Sequence, residues 1–168
     1  MKFIFTGPEC SGKTTLSSFL IEKFNLGYAP EMARTYLETR NNKYDYNDLL
    51  EIAKIQNETS NQVARKYENI VCDTDLLTII IWSIEKYGKC DSKILKMFHE
   101  SGHRQYLLCK PDIPWIFDGQ RENSFDRDRL YDIYLNRLLE FKLPYTIIQG
   151  DLEERKEFLI NYFKQILM

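Results

Sequence analysis

Residues 2–15, Lys2-Phe-Ile-Phe-Thr-Gly-Pro-Glu-Cys-Ser-Gly-Lys-Thr-Thr15, decide the fold of this chain. Three apolar residues, Phe3, Ile4 and Phe5, have the look of a short strand, and they run into Gly7-Pro8-Glu9-Cys10-Ser11-Gly12-Lys13-Thr14. That octet satisfies G-x-x-x-x-G-K-[ST] at every fixed position, the pattern of a phosphate-binding loop. The chemistry explains the residue types. Two glycines let the backbone turn its N–H groups inward around phosphate oxygens, and a helix starting near Gly12 adds the positive end of its dipole. Lys13 is expected to reach the β- and γ-phosphates of ATP, and the Thr14 hydroxyl to ligate Mg²⁺. Leu16, Phe19, Leu20 and Phe24 recur at helical spacing, so strand, loop and helix follow in the order the motif requires.

Outward from this stretch, extended and helical signals alternate. Gly27 to Pro30 reads as a brief strand and Glu31 to Glu38 as a helix, and Asn41-Asn42 breaks it. A helix capped at Asp45 or Asn47 runs to about Lys66, followed by the strand Ile70-Val71-Cys72 and the acids Asp73-Thr74-Asp75. Leu76 to Tyr87 reads as a buried helix closed by Gly88, with Trp82 assigned to the core, and Ser92 to Glu100 as a shorter one. Tyr106 to Cys109 and Tyr145 to Ile148 are strands, with a helix from Arg127 to Phe141 between them; Gly150-Asp151 opens a last helix striped by Phe158, Leu159, Tyr162, Phe163 and Ile166. This alternation predicts an α/β three-layer P-loop fold: one domain over 1–168, with a doubly wound, mostly parallel five-stranded sheet. Residues from about 110 to 129, rich in proline and charge, are predicted to form a lid.

The composition sets limits. A net charge of −2, a pI near 5.8 and mean hydropathy of −0.44 give no general attraction to nucleic acid or to an anionic membrane. Basic chemistry must then be local, and Arg121, Arg127 and Arg129 are the place to look. Four scattered cysteines without a C-x-x-C pair read as reduced thiols, and no leader or membrane-spanning run is apparent, so the expected location is the cytoplasm.

Four polar clusters fall at predicted strand ends, where such a fold holds its ligands. The phosphate loop is one. Glu31 with Arg34 is the second: a carboxylate facing the γ-phosphate suits proton transfer from an attacking hydroxyl or anchoring of a sugar, although an acid at a helix start also favours its own helix dipole. Asp73-Thr74-Asp75 is the third, Asp73 reading as the metal-side acid and Asp75 as a substrate contact or helix cap. The fourth is the lid, where Arg121 suits closure over phosphates and Trp115 either packs or covers a flat base.

With these residues assembled, the chain resembles the ribosylnicotinamide kinase domain of the bacterial NadR family, a branch of the P-loop small-molecule kinases. Its carriers are Gly7 to Thr15, Glu31-x-Ala33-Arg34-x-Tyr36-Leu37, Ile52-Ala53 with Gln56, Asp73-Thr74-Asp75, and Pro111-Asp-Ile-Pro-Trp-x-x-Asp118-Gly-x-Arg121. The resemblance implies ATP-dependent, Mg²⁺-assisted phosphorylation of the 5′-hydroxyl of nicotinamide riboside for NAD salvage. Carried over by position, it puts ATP on residues 7–15, Arg121 and Gly150-Asp151. Thr14 and Asp73 would take the metal, and Lys13, Asp73, Glu31 and Arg121 the chemistry. Glu31, Arg34, Tyr36, Asp73, Asp75, Trp115 and Asp118 would surround the acceptor. Two departures are visible. Strand signal begins at Lys2, so the adenylyltransferase step of fused relatives is expected from another protein. Pro30 stands where some members carry an aromatic residue, leaving Tyr36 or Trp115 to face the cationic ring. A deoxynucleoside or nucleotide kinase shares the same strand-end acids, and an ATP-binding regulatory module would share the loop.

Overall fold

The structure is a computed structural model that describes residues 1–116 and 125–167. In chain order the elements are β1 (Lys2–Thr6), α1 (Lys13–Phe24), β2 (Gly27–Ala29), α2 (Met32–Glu38), α3 (Tyr46–Ala64) and β3 (Ile70–Asp73). They continue as α4 (Leu76–Tyr87), α5 (Ser92–Glu100), β4 (Arg104–Cys109), α6 (Arg127–Glu140), β5 (Tyr145–Ile148) and α7 (Leu152–Leu167). The five strands lie in the order β2-β3-β1-β4-β5, and every neighbouring pair is parallel. The sheet is therefore wholly parallel, where mostly parallel was expected.

The alternation of strand side chains explains the layers. Phe3 and Phe5 of β1 share one face with Val71 and Leu107, and this face buries Leu16 and Leu20 of α1 and Leu159 and Phe163 of α7. Ile4, Cys72, Tyr106 and Leu108 point the other way, into a second core with α3, α4, α5 and α6. Phe163 sits between Phe3 and Phe24, with ring centroids 4.6 and 5.7 Å away, and burial of one such ring is worth about 1.5–3 kcal/mol. The stripe expected on α7 is only partly core: Leu159 and Phe163 are buried, while Phe158 and Ile166 are exposed.

The register sets all strand ends level. Phe5 pairs with Asp73 and Thr6 with Leu108, so the carboxyl tips of β1, β3 and β4 emerge along one rim. The chain leaves β1 toward β2 and β3 on one side, then crosses to β4 and β5 on the other. A crevice opens at that reversal. Caps hold the helices that surround it: Asp45 and Asp48 form a reciprocal capping box on α3, worth about 1 kcal/mol, and Asp75 caps α4, which ends at Gly88. No described helix is long and apolar enough to cross a membrane.

Candidate active site

The phosphate loop is shaped by steric necessity. Gly7 has φ +129°, and a Cβ there would meet the Cys109 carbonyl oxygen at 2.6 Å, so only glycine fits where the loop brushes the tip of β4. Gly12, at φ +83°, turns the chain into α1 as its N-cap. Cys10, at φ 54°, holds a left-handed conformation without being glycine, a strain that clusters at ligand sites. Ser11 is fully buried and its hydroxyl donates to the Pro8 carbonyl at 2.8 Å. The Lys13 ammonium donates to the Gly7 and Pro8 carbonyls at 3.0 and 2.7 Å, folded back over the loop whose phosphate it is expected to meet.

Beside it, the Thr14 hydroxyl donates to Asp73 Oδ2 at 2.6 Å. Asp73 is 2% exposed, and its Oδ1 has no hydrogen-bond partner among the described residues. A buried carboxylate oxygen left over beside a hydroxyl is a fit for Mg²⁺. Such a hard cation takes one or two protein oxygens and fills its octahedron with phosphates and water. No group of three His, Cys, Asp or Glu side chains able to hold a metal occurs among the described residues, so a cation here would rest on this pair and on the substrate. The next residue, Thr74, is forced to φ 69°, with its N–H donating to the Phe5 carbonyl at 3.0 Å.

One cavity of about 730 Å³ adjoins the loop. It is lined by residues 7–15, by Glu31 and Arg34, and by Tyr44, Trp82, Glu85, Lys86, Arg129 and Tyr134 contributed from further along the chain. Glu31 is the N-cap position of α2, yet its side chain makes no capping bond; it turns to the cavity, 3.7 Å from the Arg34 guanidinium. Burial pushes its carboxyl above the ordinary range; nearby Lys13 and Arg34 oppose this, and Asp73 adds to it. Gln56, 2% exposed, holds the turn from both sides: its amide nitrogen donates to the Pro30 carbonyl at 3.1 Å and its oxygen accepts from the Met32 N–H at 2.8 Å. The peptide groups flanking Glu31 are thus fixed by one side chain from α3.

Several sequence expectations change here. Asp75 does not reach the cavity: it is buried against the sheet, accepting from the Leu77 N–H at 3.0 Å and the Tyr106 hydroxyl at 2.6 Å. Burial raises its carboxyl pKa despite those two bonds and the Arg104 charge. Only Thr74 separates Asp73 from Asp75, and the turn there sends them to different environments. Tyr36 is not in the cavity wall either. Its hydroxyl donates to Asp48 at 2.7 Å, and the Arg40 guanidinium covers its ring at 4.6 Å. Trp115 donates its indole N–H to Glu9 at 3.3 Å, which lays residues 110–116 across the phosphate loop and outside the cavity wall. The Gly150 N–H donates to Asp112, and Asp151 exchanges bonds with Glu154 as the cap of α7. Arg127 donates to the Cys10 and Ile113 carbonyls at 3.1 and 3.0 Å, strapping the phosphate loop to the segment after β4, while Arg129 pairs with Glu85 and Asp126. Asp118 and Arg121 lie outside the described residues.

Trp82 has two roles where one was expected. It packs half-buried against the core, as its place on an apolar helix predicts, and it also lines the cavity, with its indole N–H donating to the Tyr44 hydroxyl at 2.6 Å and the two rings 4.6 Å apart. Tyr44 had no signal of its own in the sequence. The only available pointer was the polarity of its turn, because a break between helices at a strand-end rim is where a pocket wall is built.

The geometry now has counterparts. A description of the AAA domain matches residues 2–155. The chain belongs to that family. Among solved structures, NadR protein in complex with nicotinamide riboside (NR) aligns at TM-score 0.73 and 17% identity, covering 95% of this chain and 49% of that one. NadR with NAD and AMP-PNP aligns at TM-score 0.72 and 16% identity, over 98% and 48%. This chain therefore spans about half the length of the NadR chains it matches. Deoxyadenosine kinase from M. mycoides, bound to dCMP and dCDP, aligns at TM-score 0.65 and 15% identity over 98% and 100% of the chains. Thymidylate kinase from Ehrlichia chaffeensis aligns at 0.63 and 15%, over 100% and 98%. At such identities these likenesses establish the fold. This member of the AAA domain family has the fold of P-loop nucleoside and nucleotide kinases.

Proposed function

We propose that this domain transfers the γ-phosphoryl group of ATP to the 5′-hydroxyl of nicotinamide riboside. The observation that carries the reading is that one cavity holds Lys13 at its phosphate loop, a carboxylate with raised pKa at Glu31, and an aromatic wall at Tyr44 and Trp82. The nicotinamide ring of this nucleoside is a cation, and a tryptophan face attracts it best. Lys86 already covers Tyr44, its ammonium 3.7 Å from the ring centroid, which leaves the indole of Trp82 for the ligand. Neither Tyr36 nor Trp115 is needed for that role.

In the transfer, Lys13 swings from the loop carbonyls to the β- and γ-phosphates, and the loop N–H groups hold the donor in line. Glu31 accepts the proton of the 5′-hydroxyl as its oxygen bonds to the γ-phosphorus and the bond to ADP breaks. Asp73 is the less suited base, since one of its oxygens is engaged by Thr14. Thr14 and Asp73 would hold Mg²⁺, which would supply neutralisation of the phosphate charge. Arg34 orients Glu31 and the sugar; the expected contacts of Arg121 with the donor and of Asp118 with the acceptor fall on residues outside those described. Residues 7–15 and the Gly150-Asp151 turn make the ATP side, and the cytoplasm is the expected compartment.

The test is an acceptor panel with ATP and Mg²⁺, scored by ADP release and by mass of the product: nicotinamide riboside, deoxyadenosine, thymidine, cytidine and nucleoside monophosphates. Nicotinamide riboside is expected to give the largest kcat/KM. A preference for deoxyadenosine or a monophosphate replaces this reading with a nucleoside or nucleotide kinase. ATP binding with no acceptor phosphorylated replaces it with a regulatory module.

A further inference from the structure

Arg155, on the first turn of α7, is 1% exposed, and all three of its side-chain nitrogens donate, to backbone carbonyls and one carboxylate. Its Nε donates to the Gly150 carbonyl at 2.8 Å, Nη1 to the Ser11 carbonyl at 2.7 Å, and Nη2 to the Lys110 carbonyl at 2.9 Å and to Asp112 Oδ1. The second oxygen of Asp112 accepts from the Gly150 N–H at 2.8 Å. One guanidinium thus joins three loops at the carboxyl rim of the sheet: the phosphate loop after β1, the lid segment after β4 and the turn after β5. A buried charge is costly to desolvate, and a helix with Leu159 and Phe163 already in the core has no need of one for packing.

The landing point on the phosphate loop gives the charge its purpose. A peptide group is planar and trans, so its C=O and the next N–H point in opposite directions. Drawing the Ser11 carbonyl toward Arg155 sends the Gly12 N–H the other way, toward the concave side of the loop where phosphate oxygens are gripped. Arg155 and the segment after β4 close directly on this turn: a Cβ added at Gly12 would lie 3.4 Å from Arg155 Nη1 and 3.3 Å from the Ile113 side chain. We propose that Arg155, clamped by Asp112, is a positioning residue for the nucleotide: it sets the Ser11–Gly12 peptide and locks the phosphate loop to the lid segment and the β5–α7 turn. This rests on the nucleotide half of the reading above and not on the identity of the acceptor.

The experiment compares wild type, Arg155→Lys and Asp112→Asn. It reads the dissociation constant of a fluorescent ATP analogue, KM for ATP and for nicotinamide riboside, and the melting temperature. Lysine keeps the charge but loses the planar fork, so Arg155→Lys is expected to weaken ATP binding roughly tenfold with the acceptor KM within about twofold. Asp112→Asn keeps one acceptor oxygen and is expected to weaken it about threefold. Folded variants that bind ATP within about twofold of wild type overturn the proposal, as does an equal loss for ATP and acceptor, the mark of a merely structural role. If Arg155→Lys does not fold, Asp112→Asn decides by the same criteria. A wild-type protein that binds ATP but phosphorylates no acceptor defeats the acceptor reading alone, and the dissociation constants still decide this one. A wild-type protein that binds no ATP defeats both.

Discussion

The two ends of the cavity are built in opposite ways. The proposed donor end is one unbroken stretch, residues 7–15, and the reading assigns its work to backbone N–H groups and to glycine conformations that a side chain would block. The proposed acceptor end is assembled from Glu31 and Arg34 at α2, Tyr44 in a turn, Trp82 on α4 and Tyr134 on α6. Binding phosphate needs a fixed backbone curve, which a short local sequence can encode. Recognising a base and a sugar needs side chains facing one another across a crevice, which only packing of distant helices supplies.

If the two ends are separate machines sharing a cavity, substitutions should divide between them. Lys13→Ala is the largest break: turnover should fall to background, by on the order of 10³-fold, with folding and acceptor affinity retained, as seen by thermal melting and calorimetric titration of the nucleoside. Residual turnover near the wild-type rate would remove the donor assignment. Glu31→Gln should lower kcat by about 10²-fold with KM for ATP little changed. It also sharpens the comparison through pH. Catalysis needs the carboxylate, and burial raises its pKa, so wild-type kcat/KM should fall as pH drops through a value above the ordinary carboxylate range near ~4.3. That acid limb should vanish in Glu31→Gln.

Trp82→Ala should raise the acceptor KM roughly tenfold while KM for ATP stays within about twofold, whereas Trp82→Phe, which keeps an aromatic face, should lose less. Equal loss for both substrates would show that Trp82 supports the fold and not the acceptor. The smallest effect belongs to Asp75→Asn. It touches the α4 cap and the Tyr106 bond but not the cavity, so kcat/KM should be unchanged and stability reduced by about 1 kcal/mol, read from chemical denaturation. A strong loss of activity there would return Asp75 to the site.

The fold was legible to a high degree because its signals are local. The helix over 76–87, with its Gly88 stop, and the helix over 92–100 lie where apolar spacing and caps put them, and β5 runs over its predicted residues. Where reading failed, the residue had two stable destinations with the same local pattern. Trp82 sits on a helix whose neighbours Ile79, Ile80 and Ile81 are buried, and nothing in that periodicity says that this helix faces a crevice at one end. Tyr36 follows Glu31 and Arg34 on the same short helix, but the Asp48 carboxylate on α3 takes its hydroxyl. Arg155 follows Glu153 and Glu154 in an acidic helix start, and nothing in that local pattern sets it apart.

What the sequence determined by itself is the order of strands and helices, the phosphate loop, and the acids at the strand tips. Each follows from the near neighbours of a residue: periodicity, glycine placement and capping. Only the tertiary structure decided that Asp73 joins Thr14 while Asp75 turns to Tyr106, that Trp82 and Tyr44 form a wall, and that Arg155 ties three loops together. These outcomes depend on contacts between residues tens of positions apart, whose energies exist only once the sheet has brought their strands and helices into register.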